Sequence, residues 1–205
     1  MEIQINGKPG SQNRYDDVHI SHVGNLYPNA ESVNVYNQIS VTKSRLSIML
    51  CRLSKEYRHH VTQEQMPADV MRYRRKRPHS RGLVDNLKAA HFSRHVIEQA
   101  RLQERDYTTK ATQYQSYISA QRVDSYLFAA LKNRFYQYVY PLIEAQQPQS
   151  VIRTAVYERV ILPVMSELNA TESSDTVLYY NEDDLFGMLY YLTNKGYILW
   201  TLEPG

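Results

Sequence analysis

Asn181-Glu182-Asp183-Asp184-Leu185-Phe186-Gly187-Met188-Leu189-Tyr190-Tyr191-Leu192-Thr193-Asn194-Lys195-Gly196 reads as one complete helix with both ends written into the chain. Asn181 is an N-cap residue, whose side-chain oxygen takes up a free amide of the first turn. Glu182, Asp183 and Asp184 put negative charge where the helix dipole is positive. Leu185, Met188, Leu189 and Leu192 recur at helical spacing and define a buried face. Lys195 supplies a cation to the last turn, and Gly196 the left-handed residue that closes it. The flanking stretches, Thr176-Val177-Leu178-Tyr179-Tyr180 and Tyr197-Ile198-Leu199-Trp200-Thr201-Leu202, are rich in β-branched and aromatic residues and predict strands.

Moving toward the N-terminus, the pattern stays helical. Gln146-Gln147-Pro148-Gln149 reads as a linker, and Ser150 as the cap of a helix through Val151, Ala155, Val156, Val160 and Val164, with Pro163 marking a kink or an end. Ile118, Val123, Leu127, Leu131, Phe135 and Tyr138 predict a tyrosine-rich helix from about Tyr114 to Tyr140, where Pro141 disfavours continuation. Leu87, Ala90, Ile97 and Phe92, Val96, Ala100 give two adjoining apolar rows from Leu83 to about Glu104; the polar stretch 99–121 is compatible with helix or loop. An earlier helix spans about Asn37 to Val61, with Leu46, Met49, Leu50, Leu53, Tyr57 and Val61 in its apolar stripe. Pro67 opens a short helix through Met71. Residues 1–36 carry Gly and Pro at close intervals and read as an irregular arm or small hairpin.

The expected fold is therefore mainly α: a bundle of four or five helices with a small C-terminal αβ element. The expected organisation is an N-terminal arm (1–36), a basic helical domain (37–145), and a C-terminal helix plus strand-helix-strand cap (150–205). The run Leu189 to Leu192-Thr193-Asn194-Lys195-Gly196-Tyr197-Ile198 resembles the last helix and wing of a winged-helix domain. With so acidic a helix start, the resemblance implies a version that contacts protein.

The 205 residues suffice for one domain plus an appendage, and 42% hydrophobic residues provide a core. Eighteen tyrosines suit half-buried positions and interfaces. The single cysteine, Cys51, excludes an intramolecular disulfide and a thiolate metal cluster, and favours a reducing compartment. Met1-Glu2-Ile3-Gln4-Ile5-Asn6 lacks the basic and apolar regions of a signal peptide, and Tyr126 to Leu131, the longest apolar stretch, is too short to cross a bilayer. An intracellular protein is expected, cytoplasmic or nuclear.

Charge is segregated. Residues 41–101 hold 14 Lys and Arg against five Asp and Glu, whereas the residues on either side are net acidic. Such a field points to an anionic partner. Its centre is Arg72-Tyr73-Arg74-Arg75-Lys76-Arg77, with His79 and Arg81 close behind. Arginine pairs bidentately with phosphate, and Tyr73 offers a face for stacking a base. Lys43, Arg45, Arg52, Lys55 and Arg58 widen the surface if the two segments pack together.

Three further constellations point to chemistry less strongly. His91 and His95 share a helix face if the helix is continuous, but Phe92-Ser93-Arg94 lacks the glutamate of a hydrolytic zinc helix. Arg74 and His79 have the Arg-x4-His spacing of some helical ribonucleases. Glu182, Asp183 and Asp184 are explained by the helix terminus without a cation. The expected function is a non-catalytic subunit of a larger complex that contacts nucleic acid, DNA or RNA, through residues 43–94, with no cofactor, no metal and no membrane. Protein partners are expected at the tyrosine-rich helix and the C-terminal cap. The alternatives are an adaptor whose basic patch meets an acidic protein and, less favoured, a metal-independent nuclease.

Overall fold

The computed structural model describes residues 44–63, 68–78 and 80–202. The expected arm at 1–36, Lys43 and His79 lie outside them. Helix α1 (Arg45–Arg58) is followed by a single turn, α2 (Ala68–Met71), then α3 (Gly82–Ala89) and α4 (Arg94–Gln113). Next come α5 (Ile118–Arg134), α6 (Tyr140–Glu144), α7 (Gln149–Ala155), α8 (Leu162–Asn169) and α9 (Glu182–Asn194). A π-helical turn, Phe135–Val139, joins α5 to α6, and another, Val156–Ile161, joins α7 to α8. The mainly helical expectation holds. With each joined pair taken as one rod, there are six helices among the described residues beside the single turn, rather than four or five.

One rod is added by a helix end that the periodicity does not reveal. The stretch 83–104 is not one helix, because His91 turns left-handed at φ 59°. Its amide bonds to Lys88 O, and Phe92 N to Leu87 O, which closes α3 in a Schellman motif. Ser93 then accepts from Val96 N and starts α4. The same closure ends α1 at His60 and α6 at Gln146, both with positive φ. It thereby stops α1 short of Val61. At Gly196 (φ 79°) it ends α9, as its sequence predicts.

Pro141 and Pro163 do not stop their helices. Proline lacks an amide and crowds the carbonyl four residues earlier. Each π-turn lies just ahead of a proline and shifts the hydrogen bonds by one residue: Tyr140 N bonds to Phe135 O, and Leu162 N to Tyr157 O. The Arg159 carbonyl, four residues before Pro163, receives Arg134 Nη1 at 3.4 Å.

No strand occurs among the described residues, so the αβ cap and the winged-helix likeness are not supported. The physical reason lies in what the backbone pairs with. Asp175 accepts the amides of Val177, Leu178 and Tyr179 at 3.1, 2.8 and 2.8 Å, and Tyr179 is left-handed at φ 47°. In the second stretch a side chain stands in for a neighbouring strand. Asn86 Nδ2 donates to Ile198 O at 3.3 Å, and Trp200 N donates to Asn86 Oδ1 at 3.0 Å. Burial still alternates, with Ile198 and Trp200 inside, which is why the stretch mimics a strand.

One core runs from α1 to the C-terminal tail, through Leu46 and Leu50, Leu127 and Leu131, and Leu185, Leu189 and Leu192. The described residues belong to one compact unit, Thr42–Gly205. Helix α9 packs most extensively against α4 and carries the capping box read from its sequence: Asn181 accepts from Asp184 N, and Asp184 from Asn181 N. Tyr57 and Val61, assigned to the α1 stripe, are 45% and 52% exposed: Val61 lies beyond the closure at His60, and Tyr57, in the last turn, meets the rings of Tyr114 and Tyr117 at the edge of the core.

Candidate nucleic-acid interface

Helix α5 separates the two basic segments. Glu56 of α1 accepts from both the amide and the hydroxyl of Ser119, and Arg45 of α1 lies in the field of Tyr126. On the other side Arg74 bonds to Gln121, Tyr73 packs edge-on against Phe128 at 5.5 Å, and Arg72 acts electrostatically on Lys132. At 3.6 residues per turn, Gln121, Phe128 and Lys132 point within roughly 20° of one direction, and Ser119 and Tyr126 about 150° away. Arg45, Arg52, Lys55 and Arg58 are exposed, but they form a face of their own. The expected single patch is therefore two surfaces on opposite sides of α5.

The loop 72–77 is built around Tyr73, which is only 5% exposed. Its ring meets Phe128 and, at 5.0 Å, Tyr197. Tyr73 is thus a core residue and not a platform for bases. Tyr197 Oη donates to the carbonyls of Arg72 and Arg75, and Arg77 N donates to Lys195 O at 2.9 Å. These bonds hold the loop backbone on the end of α9. Ser80 completes the seat: its hydroxyl donates to Asn194 O, and its Cβ lies 2.8 Å from where a Gly196 side chain would begin.

The loop side chains divide. Arg74 turns inward to Gln121 and stabilises the charge of Asp124, so it serves the fold and not the surface. Arg72, Arg75, Lys76, Arg77 and Arg81 are exposed. The guanidinium of Arg72 stands over the Tyr73 ring at 5.6 Å and that of Arg77 over Tyr197 at 5.2 Å. Among the described residues the ion pairs are Glu98–Arg101, Arg105–Asp106 and Lys110–Asp184, and none of them neutralises this loop. Lys132 of α5, absent from the sequence-derived set, joins the cluster: burial first, then Arg72 and Arg77, lower its pKa from the usual lysine range.

Behind the loop lies a buried polar network. Asp124 Oδ1 accepts from Tyr180 Oη at 2.6 Å, and Tyr107 also bonds to this carboxylate. Burial raises the Asp124 pKa from 3.8 to about 6; the two tyrosines and Arg74 only partly oppose it. The folded state therefore holds this proton more tightly than the unfolded chain. The stability Asp124 contributes is complete below about pH 4 and is lost as pH rises through about 6, on the order of 2–3 kcal/mol. Asp124→Asn keeps an acceptor for Tyr180 without a buried charge, so the melting temperature of this variant varies less with pH between 4 and 7 than that of the wild type. Equal pH slopes for the two proteins are the contrary result.

The remaining sequence candidates separate. His91 closes α3 and His95 lies in the first turn of α4, so the helical pair spacing for metal chelation is lost. No group of three or more His, Cys, Asp or Glu able to hold a metal occurs among the described residues. The tyrosine-rich helix is largely internal: Tyr117 is buried, Tyr114, Tyr126, Tyr136 and Tyr140 are half-buried, and Tyr138 is exposed. A cleft beside Phe92, Arg153, Phe186 and Trp200 holds about 100 Å³, below the roughly 300 Å³ at which pockets begin to enclose small ligands. A groove of about 340 Å³ beside Ser150, Thr154 and Glu158 is lined by one helix face alone. Among the described residues no helix is long and apolar enough to cross a membrane.

Fold and surface together define a helical scaffold that presents a cluster of cations to its surroundings. Residues 82–200, more than half of the chain, match the family model for C-terminal domain 9 of the ABC-three component (ABC-3C) systems, and the chain belongs to that family. It is accordingly a subunit of a multi-protein complex. No curated protein and no solved structure matches it. The matched region runs from α3 through the Asn86-bound tail; α1 and the cationic loop precede it, and the loop docks on it through Phe128 and Tyr197.

Proposed function

We propose that this subunit binds the phosphate backbone of nucleic acid through the loop cations Arg72, Arg75, Lys76 and Arg77, with Arg81 at the edge, and that it does so without catalysis. The observation that carries this reading is a cluster of exposed cations on a backbone pinned by Tyr73 and Tyr197, with no described acid paired to it. Fixing the loop beforehand reduces the ordering cost of binding. With Tyr73 buried, the stacking face that the basic run offered is withdrawn and its cations remain, so binding depends on charge and not on base sequence. A duplex is therefore bound at least as well as a single strand.

The test is anisotropy of labelled duplex DNA and RNA across a salt series. The Arg75→Ala/Lys76→Ala/Arg77→Ala variant leaves Arg74 and its bond to Gln121 intact. Its affinity falls by about 10- to 100-fold at moderate salt, and its log–log salt slope flattens by roughly 2–3. A wild-type protein that ignores both duplexes at low salt, while an acidic partner subunit is retained through the same three residues, assigns the loop to a protein contact instead.

A further inference from the structure

We propose that Arg72, Arg77 and Lys132 form a seat for one phosphate group, with two arginines supplied by the loop and the lysine by α5. This rests on the nucleic-acid reading and identifies the point on that surface where a single backbone phosphate is held.

The seat is framed by three rings. Phe128, Tyr73 and Tyr197 follow one another edge-on, at centroid separations of 5.5 and 5.0 Å. Arg72 stands over the second ring and Arg77 over the third. Lys132 lies one helical turn beyond Phe128, on the α5 face that meets the loop. Packing thus brings three cations together from two distant parts of the sequence. Their mutual repulsion is not relieved by any described ion pair. The rings beneath the two guanidinium groups hold them at the surface by cation–π attraction. A tetrahedral dianion or a diester phosphate answers this arrangement: two planar forks and one ammonium supply charge-assisted hydrogen bonds to its oxygens. Half-burial of Lys132 strengthens the attraction, because less water screens it.

Two probes test the seat on the full chain. With labelled duplex DNA, Lys132→Gln weakens binding about tenfold and lowers the salt slope by about one, and Lys132→Arg restores both. Because all three cations share one phosphate, Lys132→Gln combined with Arg72→Gln and Arg77→Gln lowers the slope by about one in total. Losses that add to about three mean separate contacts and no common seat. The second probe is inorganic pyrophosphate, titrated calorimetrically: the wild type binds it saturably and Lys132→Gln does not.

If the wild type binds duplex while Lys132→Gln matches it in affinity and slope, the seat is wrong and the loop reading survives. If the wild type ignores nucleic acid, the loop reading is lost; the seat then stands on Lys132-dependent pyrophosphate binding and falls without it. The melting temperature of Lys132→Gln is equal to or above that of the wild type, since removing one of three like charges relieves repulsion. That separates loss of binding from loss of fold.

Discussion

Gly187→Ala lowers the melting temperature by roughly 5–10 °C, an expected loss of about 2–3 kcal/mol in a unit of this size. A Cβ at Gly187 would lie 2.4 Å from Gln103 O and 2.6 Å from Tyr107 Cβ. Neither atom can swing aside, since one is backbone and the other is bonded to it. The two helices must separate, which loosens Leu185, Met188, Leu189 and Leu192, all fully buried. Alanine is the better helix former by about 1 kcal/mol, so an unchanged or raised melting temperature would show that α4 and α9 do not meet here. Far-ultraviolet circular dichroism at low temperature separates this from outright failure to fold: the helical signal persists while the transition moves down.

Asn86→Ala costs about 2–4 kcal/mol and frees the C-terminal tail. The amide side chain satisfies two buried backbone groups at once, Ile198 C=O and Trp200 N–H. Its removal leaves both unpaired, at about 1–3 kcal/mol each if the tail stays in place. Release of the tail to water limits the loss at the expense of burial for Ile198 and Trp200. Trp200 is the only tryptophan, and its ring lies against Phe92 and Phe135 with Nε1 bonded to Thr193 Oγ1. Fluorescence therefore reports the event directly: emission shifts to longer wavelength and becomes accessible to a soluble quencher. Unchanged emission together with wild-type stability would remove Asn86 from the role of substitute strand.

Local chemistry was legible wherever the deciding groups are neighbours in sequence. The α9 cap, its acidic first turn, its buried leucines and the Gly196 closure lie within one run of residues, and the structure contains each of them. The buried face of α1 at Leu46, Met49, Leu50 and Leu53, and its exposed cations, follow from the same short-range periodicity. Helix ends at His60 and His91 escaped, because the left-handed residue there is not glycine and sequence gives no warning, whereas the end at Gln146 falls at the linker marked by Pro148. Pro141 suggested a break and Pro163 a kink or an end, whereas π-turns carry both helices past them. The strands failed for a different reason. Residue type, and in 197–202 alternating burial, are properties of the segment, but a strand also needs a neighbour, and here Asp175 and Asn86 take the backbone groups that a neighbour would use.

The sequence by itself determined that this protein is helical, that its charge is segregated, and that its strongest cationic run lies between α2 and α3. These follow from residue type and spacing along a few turns. Only the tertiary structure decided which side chains of that run face the solvent. It buried Tyr73 against Phe128 and Tyr197, turned Arg74 to Gln121, put α1 on the far side of α5, and added Lys132 to the loop. Each outcome depends on how distant segments pack around α5, because the loop gains more from burying one ring and pairing its carbonyls with Tyr197 than from displaying every side chain of its basic run.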